Sequence, residues 1–490
     1  MSAVEPVEKA TILIASNRGP LSFSIDEQGN HHAHRGGGGL VSGLGAVESN
    51  QDTLWVCAAL SESDRQVARS VPDGRLDRSE EFAAQLPVPG VRMLDIPPEV
   101  FAGAYTSIAN STLWFVHHML FDIPNQPHFD AAFREKWAHY VAYNAVFSSA
   151  LACSAASGAR VLVQDYHLAL VPRMLRERRP DLRVTHFSHT PWAPVEYFRL
   201  LPYDIRRELL EGMLGADYVG FHTERWAAAF TECCTAELSE EAHSTANNGR
   251  GIRVGGRVVR IGAIPLGVDA PGLHERSMQA DVRERRAELL ATVGERRLVV
   301  RIDRTELSKN IVRGLASFRE LLRSHPEWHG AVTHLAFAYP SRSDVAEYRA
   351  YTESVGALAA SINEEFGSAE WTPVLLEVND DYARSLAAYQ LADVLLVNPV
   401  RDGMNLVAKE GPLLSERDCV LVLSTGAGAA AELGEHALLV HPYDVTATAA
   451  ALVQALQMPE TERRERRQRL VEAATRIPPH QWFAEQLAKL

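Results

Sequence analysis

The stretch Val394-Leu395-Leu396-Val397-Asn398-Pro399-Val400-Arg401-Asp402-Gly403-Met404-Asn405-Leu406-Val407-Ala408-Lys409-Glu410 sets the reading of this chain. Its first four residues, all apolar, predict a buried parallel strand. A tight turn carrying Asp402 and Gly403 follows, and the run beyond it predicts the start of a helix. Strand, turn and helix N-terminus together make a seat for an anion, because free backbone N–H groups and the helix dipole point into it. Asp402 on the turn and Glu410, eight residues on and about two helical turns away, are spaced so that both face one ligand. A phosphate between two carboxylates that take hydroxyls is what a bound nucleotide sugar requires. An ordinary strand–turn–helix with surface acids is the plain alternative, and the rest of the chain has to decide.

The same grammar recurs along the sequence. Thr11-Ile12-Leu13-Ile14-Ala15 runs into Ser16-Asn17-Arg18-Gly19, Val161-Leu162-Val163-Gln164 into Asp165, and Val184-Thr185-His186-Phe187-Ser188 into His189. Tyr218-Val219-Gly220-Phe221 follows. In the second half Leu298-Val299-Val300-Arg301-Ile302 leads to Asp303 and Arg304, Thr333-His334-Leu335-Ala336-Phe337 precedes Arg342, and Val420-Leu421-Val422-Leu423 precedes Ser424. Apolar strands alternating with helical stretches predict an α/β fold, with parallel sheets covered on both faces. Such sheets bind ligands beyond the carboxyl ends of their strands, and the polar residues of interest fall there in both halves.

At 490 residues the chain is too long for one typical core, so two domains are expected. The boundary is placed near Ile264-Pro265-Leu266-Gly267-Val268, ahead of a charged helix over Ser277 to Leu290. Residues 236–262 read as a hairpin region, and Pro478-Pro479 breaks the chain before a last helix. Hydrophobic residues at 46% and charged residues at 23% are ordinary for a soluble globular protein. No apolar run approaches the ~20 residues of a membrane span, and Met1 to Ala10 lack a secretory core. Cys57, Cys153, Cys233, Cys234 and Cys419 show no Cys-x-x-Cys spacing and read as reduced thiols. A cytoplasmic protein is expected. The net charge of −13 argues against general nucleic-acid binding. The mixed run Glu462 to Arg469 reads as a solvated helix face. Small-molecule substrates are the expected partners, with neither nucleic acid nor membrane.

Several motifs carry chemistry. In Arg35-Gly36-Gly37-Gly38-Gly39-Leu40, glycines let the backbone approach a phosphate, although a flexible loop explains them as well. His31, His32 and His34 read as exposed loop histidines rather than metal ligands, since no matching cluster follows. Asp165 and His189, at successive strand ends, fit one cleft. Arg304 and Lys309 suit a diphosphate leaving group, or a surface ion pair, and Arg342 a further phosphate. Trp55, Tyr105 and Trp114 are core aromatics or a stacking surface for a sugar ring.

In order and spacing these pieces resemble the trehalose-6-phosphate synthases, retaining nucleotide-sugar glycosyltransferases. The resemblance runs from about residue 11 to 485. It rests on Ser16-Asn17-Arg18, Gly38-Gly39-Leu40, Asp165-Tyr166-His167-Leu168, His189-Thr190-Pro191, Phe198-Arg199-Leu200-Leu201-Pro202, Gly220-Phe221-His222-Thr223, Arg304 with Lys309, Arg401 to Glu410, and Gly426-Ala427-Gly428-Ala429-Ala430 with Glu432-Leu433. It implies two facing Rossmann-like domains (the GT-B architecture) with the active site in the interdomain cleft. The domains would be residues 1–267 for the acceptor, 268–471 for the nucleotide sugar, and a C-terminal helix, 472–490, packing back on the first. The resemblance implies that Arg18, Trp55, Tyr105, Trp114 and Arg342 bind glucose-6-phosphate, and that Asp165 meets the acceptor hydroxyl. It further implies that Gly38 and Gly39 close over the donor, His189 contacts the donor glucose, and Arg304 and Lys309 hold the diphosphate. Asp402, Gly403, Met404 and Asn405 would bind glucose hydroxyls, Leu406 and Val407 the phosphates, and Glu410 the ribose. The implied catalytic set is Asp165, His189, Arg304 and Lys309, with front-face attack, no metal and no cofactor, in a homo-oligomer (dimer or tetramer).

The sequence departs from that family at several points. Where the family reads Leu-Asp-Tyr-x-Lys-Gly, this chain has Thr305-Glu306-Leu307-Ser308-Lys309-Asn310. Pro191-Trp192-Ala193-Pro194 replaces Pro-Phe-Pro, and Tyr197 stands at an aliphatic place. Phe337-Ala338-Tyr339-Pro340-Ser341, near the nucleotide base, tilts the expected donor from UDP-glucose, the family default, toward GDP-glucose. Two other readings of the same fold are a pseudo-glycosyltransferase coupling cyclitols and an inactive sugar-phosphate sensor. The intact Arg304, Lys309, Asp402 and Glu410 stand against the sensor.

Overall fold

Helix and strand alternate through two units, residues 1–266 with 479–490, and residues 267–478. The computed structural model describes residues 9–26, 28–35, 52–238, 242–244, 251–342 and 344–490. The late division falls at Pro479 rather than at 472. The helix Glu460–Ala474 puts Leu470, Ala473 and Ala474 into the core of the second unit. Only the helix Pro479–Ala488 belongs to the first.

In the first unit the strands are β1 (Ala10–Ser16), β2 (Leu21–Ile25), β3 (His31–Arg35), β4 (Thr53–Ala58), β5 (Gly90–Leu94), β6 (Ala155–Gln164), β7 (Arg183–Ser188), β8 (Tyr218–Phe221), β9 (Ala242–Ser244), β10 (Gly251–Val254) and β11 (Arg257–Ala263). The main sheet runs β5-β4-β1-β6-β7-β8-β11-β10-β9 and is parallel from β5 to β11. β10 and β11 form the antiparallel hairpin read in the sequence, and β11 returns alongside β8. β1 is central, which explains why Ile12 to Ala15 are apolar and buried on both faces. β2 and β3 pair as a separate antiparallel ribbon, so His31, His32 and His34 lie on a strand, not a loop. There His32 Nε2 stands 2.9 Å from Asp26 Oδ2, and His34 Nε2 stands 2.6 Å from Ser24 Oγ. The C-terminal helix is anchored by fully buried Trp482, whose indole N–H donates to the Ile264 carbonyl at 3.1 Å.

The second unit holds β12 (Arg297–Arg304), β13 (Val332–Tyr339), β14 (Val374–Glu377), β15 (Val394–Val397), β16 (Val420–Ser424) and β17 (Leu438–Val440). They form one parallel sheet in the order β14-β13-β12-β15-β16-β17. The opening apolar run is therefore β15, completely buried beside β12. Both sheets share one scheme: third, second, first, fourth, fifth and sixth parallel strand. This is the doubly wound Rossmann order, and its switch point, between first and fourth strand, is where such sheets bind ligands. The switch points are β1/β6 in the first unit and β12/β15 in the second. Among the described residues no helix is long and apolar enough to cross a membrane.

Candidate active site

At the β1/β6 switch point the chain leaves β1 through Ser16-Asn17-Arg18. Fully buried Trp55 donates its indole N–H to Ser16 Oγ at 2.7 Å, and Ser16 in turn donates to the Arg18 carbonyl at 2.7 Å. Tyr143 donates its hydroxyl to Asn17 Oδ1 at 2.6 Å. The turn is thus pinned from below while the Arg18 side chain is exposed. Trp55 corrects the expectation drawn from the resemblance. β4 places its ring inside the unit, so it braces the Arg18 turn and does not offer a face to a sugar.

Across the switch point, Asp165 follows β6 with a left-handed φ of 73°. Its Oδ1 accepts the His189 backbone N–H at 3.1 Å, and its carbonyl stands 3.2 Å from His186 Nε2. The ring of Tyr105 stacks on His167 with centroids 5.7 Å apart, and Trp114 packs on Tyr166 at 5.8 Å. Tyr105 lies in a wide-turned helix, Ala102–Leu113, of the i→i+5 kind often found at functional sites. The structure therefore gathers Tyr105, Trp114, Asp165 and His189 around one turn. His189 is held at both ring nitrogens, Nε2 at 3.0 Å from Gln164 Oε1 and Nδ1 at 3.1 Å from His222 Nε2. Burial, with His222 and His186 beside it, pushes the His189 imidazole well below its usual value, so it is neutral. Gln164 reaches on to Gln486 of the last helix at 3.1 Å. Sequence reading missed this link because the two residues are far apart in the chain.

At the β12/β15 switch point, Lys309 Nζ meets Asp402 Oδ2 at 2.6 Å, each side chain 16% exposed. Burial disfavours the ammonium, but Asp402, Asp303 and Glu306 outweigh it and raise Lys309 above its usual value. Beneath the pair, fully buried Arg301 binds Asn398 Oδ1 at 3.1 Å, Asp303 Oδ2 at 2.7 Å and the Lys309 carbonyl at 2.9 Å. Arg304, 56% exposed, is held by Glu306 at 3.1 Å. Arg342, with φ 46°, donates from Nη1 to the Tyr348 hydroxyl at 2.5 Å.

The turn after β15 is stapled to the glycines after β16. Asp402 N–H donates to the Gly426 carbonyl at 3.1 Å, and Gly428 N–H to the Asp402 carbonyl at 3.0 Å. A β-carbon on Gly428 would lie 1.9 Å from the Gly403 carbonyl oxygen, so only glycine fits. Asn405, at φ 88°, caps the helix Val407–Leu414 by accepting the Ala408 N–H at 3.1 Å. The amides of Met404, Asn405 and Leu406 meet no backbone acceptor among the described residues, as an anion seat requires. Glu410 lies in the first turn of this helix, closer to the seat than two turns along. Its Oε2 accepts the Tyr389 hydroxyl at 3.1 Å, and burial raises its carboxyl above the usual range. Gly38 and Gly39 lie outside the described residues. Of seven non-glycine residues with positive φ among the described ones, Asp165, Asn310, Arg342 and Asn405 stand at these strand ends. Such backbone costs about 1–3 kcal/mol per residue and clusters where a ligand is held.

The pattern of glycosyltransferase family 20 matches residues 10–490. The chain is 34% identical over 460 residues to the bifunctional trehalose-6-phosphate synthase/phosphatase of Thermoproteus tenax, covering 92% of this chain and 59% of that relative. It is 31% identical over 477 residues to the UDP-forming alpha,alpha-trehalose-phosphate synthase of Schizosaccharomyces pombe, covering 96% of this chain and 88% of the relative. Among solved structures, the UDP-forming alpha,alpha-trehalose-phosphate synthase from Burkholderia xenovorans in complex with glucose-6-phosphate superposes with a TM-score of 0.82. That match has 27% identity and covers 98% of this chain and 99% of that one.

Proposed function

Since the chain belongs to glycosyltransferase family 20, we propose that it moves glucose from a nucleotide diphosphate-glucose to glucose-6-phosphate, giving α,α-trehalose 6-phosphate. The observation that carries this reading is the β12/β15 switch point. There the Lys309–Asp402 pair and exposed Arg304 stand with an amide-lined helix start, a seat for a sugar diphosphate.

In this reading Arg304 and Lys309 stabilise the diphosphate as it leaves, with the amides of Leu406 and Val407 on its oxygens. Asp402 and the backbone of Gly403, Met404 and Asn405 orient the glucose hydroxyls, and Glu410 the ribose. Arg18, Tyr105, Trp114 and Arg342 take glucose-6-phosphate, the two arginines on its phosphate. Asp165 meets the attacking hydroxyl, and neutral His189 faces the donor glucose. The acceptor oxygen bonds to the anomeric carbon on the face from which the diphosphate departs. The breaking carbon–oxygen pair goes to the diphosphate, and a diphosphate oxygen takes the acceptor proton. Configuration is retained, and no protein nucleophile, metal or cofactor is required. Charge stabilisation of the leaving group is the main catalytic term, about 10²–10³ in rate for a single preorganised contact. The donor base is uridine in this proposal, supported by the UDP-forming relatives. The departure over Phe337 to Ser341 makes guanine the alternative to test.

The test is incubation with glucose-6-phosphate and each of UDP-, GDP- and ADP-glucose. Released nucleoside diphosphate and disaccharide phosphate are measured, and the anomeric configuration is read by NMR. Release with one donor and an α,α product supports the proposal. No release with any donor refutes it.

A further inference from the structure

Glu306 has no role in the scheme above, yet it is fully buried amid three of the unit's cations. Its Oε1 receives Arg304 Nη1 at 3.1 Å and the Ser341 hydroxyl at 3.0 Å, while Oε2 is buried and accepts no hydrogen bond among the described residues. Burial alone would raise this carboxyl, but Arg304, Arg342 and Lys309 overcome it and bring it down to about 2. The backbone of Glu306 is held on both sides. Glu306 N–H donates to the Arg304 carbonyl at 2.7 Å, and the Glu306 carbonyl accepts the Lys309 N–H at 2.9 Å. The second of these bonds closes the short turn Leu307–Lys309 that presents the lysine.

Arg304 gains most from this anchor. A long side chain left half exposed carries about 2 kcal/mol of rotamer entropy, and binding a leaving group would have to remove it. The contact to Glu306 uses Nη1 and leaves the other edge of the guanidinium for a ligand. The second bond to Oε1 comes from Ser341, the residue before Arg342, whose left-handed φ makes its backbone costly to hold.

We propose that Glu306 is a positioning residue: it holds Arg304 extended toward the leaving diphosphate and, through Ser341, fixes the turn that presents Arg342 to the acceptor phosphate. One buried carboxylate thereby sets an arginine for each anionic group. The inference rests on the proposed transferase reading. The aspartate of the resembled family pattern, one methylene shorter, is the natural conservative replacement.

The test compares the full chain with its Glu306→Gln, Glu306→Asp and Ser341→Ala variants. It measures kcat, both KM values, thermal midpoint and UDP affinity by calorimetry. Glu306→Gln should lower kcat about 10²-fold, the loss of one preorganised contact, and weaken UDP about tenfold. Glu306→Asp should recover most of both losses. Ser341→Ala should raise KM for glucose-6-phosphate several-fold with kcat nearly kept. A folded Glu306→Gln with near-normal kcat and UDP affinity overturns the proposal. So does a loss that follows the thermal midpoint and is not relieved by aspartate. Should Glu306→Gln not fold, an unchanged acceptor KM in Ser341→Ala overturns it. If the parent chain transfers no glucose, the transferase reading fails, and weakened UDP binding still decides the positioning of Arg304.

Discussion

Replacing Lys309 with methionine removes a charge and keeps the length of the side chain. The structure gives two separable consequences. Lys309 Nζ is 2.6 Å from Asp402 Oδ2, and both side chains are 16% exposed, so the variant strands a largely buried carboxylate. Breaking a buried pair from one side costs about 3–5 kcal/mol. Asn405 Nδ2, 3.2 Å from the same oxygen, still serves Asp402. With the residual access of water the cost should be nearer about 2–3 kcal/mol. For a unit of this size that is a fall in melting midpoint of roughly 5–10 °C. The kinetic consequence is the loss of one cation from the leaving group, about 10²–10³ in kcat. The double variant Lys309→Met/Asp402→Asn separates the two. Neutralising both partners removes the stranded charge, so the melting midpoint should return most of the way while kcat stays low. The assay is steady-state release of nucleoside diphosphate beside a thermal melt. Turnover within about tenfold of the parent in Lys309→Met, or rate and stability recovering together in the double variant, would falsify the leaving-group assignment.

Three further outcomes are expected. Glu410→Ala should raise KM for the nucleotide sugar by roughly 10–100-fold, as for a lost hydrogen bond to a charged group, with a smaller change in kcat. Tyr389→Phe, which frees the carboxylate from its 3.1 Å hydroxyl partner, should have a milder effect in the same direction; an acceptor-specific change in either would be fatal. Arg342→Ala should raise KM for glucose-6-phosphate far more than for the donor, and equal effects would undo its assignment. Stability should fall on acidification below about pH 6.5, where unfolded histidine begins to protonate. Burial holds His186 down to about 4 and His334 down to about 3, and His189 lower than usual. Their depressed folded values mean that the stability is present above pH 6.5 and is lost as pH falls toward those values. At pH 5 the loss is on the order of 2 kcal/mol per histidine. Asp303 and Glu410, which burial raises, act in the opposite sense and offset part of it. Urea unfolding at pH 7.5 and 5 checks the sum, and equal stability at both would contradict the burial of neutral rings.

Much of this was legible in the sequence because parallel strands buried on both faces are written as unbroken apolar runs. β15 is such a run, and the polar residues at its end had to lie on the ligand side of the sheet. What was not legible depended on side-chain direction and distant pairing. Trp55 sits within β4, and composition could not say whether its ring turned inward; the structure gives it to Ser16 Oγ. Glu410 looked two helical turns from Asp402, but the Asn405 side chain caps the helix late and keeps the intervening residues as a turn. Gln164 and Gln486 pair at 3.1 Å across most of the chain length, a contact no local pattern announces.

In the proposed reading, the charge arrangement explains how an acidic protein with a net charge of −13 keeps cations poised for phosphate. Each is matched within the second unit. Lys309 has Asp402, Arg304 has Glu306, and Arg342 has the Tyr348 hydroxyl. Unmatched, a cation as buried as Lys309 would lose its proton or destabilise the fold, since burial disfavours its charged form. Matched by groups fixed in place, the cations stay charged, and in the proposed reaction this leaves little reorganisation for the chemical step. Their unequal exposure follows from the same logic. Lys309 is 16% exposed above the Arg301–Asp303 layer, where it steadies the seat, whereas Arg304 is 56% exposed and anchored at one edge. In the proposed reaction Arg304 is thus the cation most open to the diphosphate, and its buried anchor, Glu306, holds one edge of its guanidinium in place.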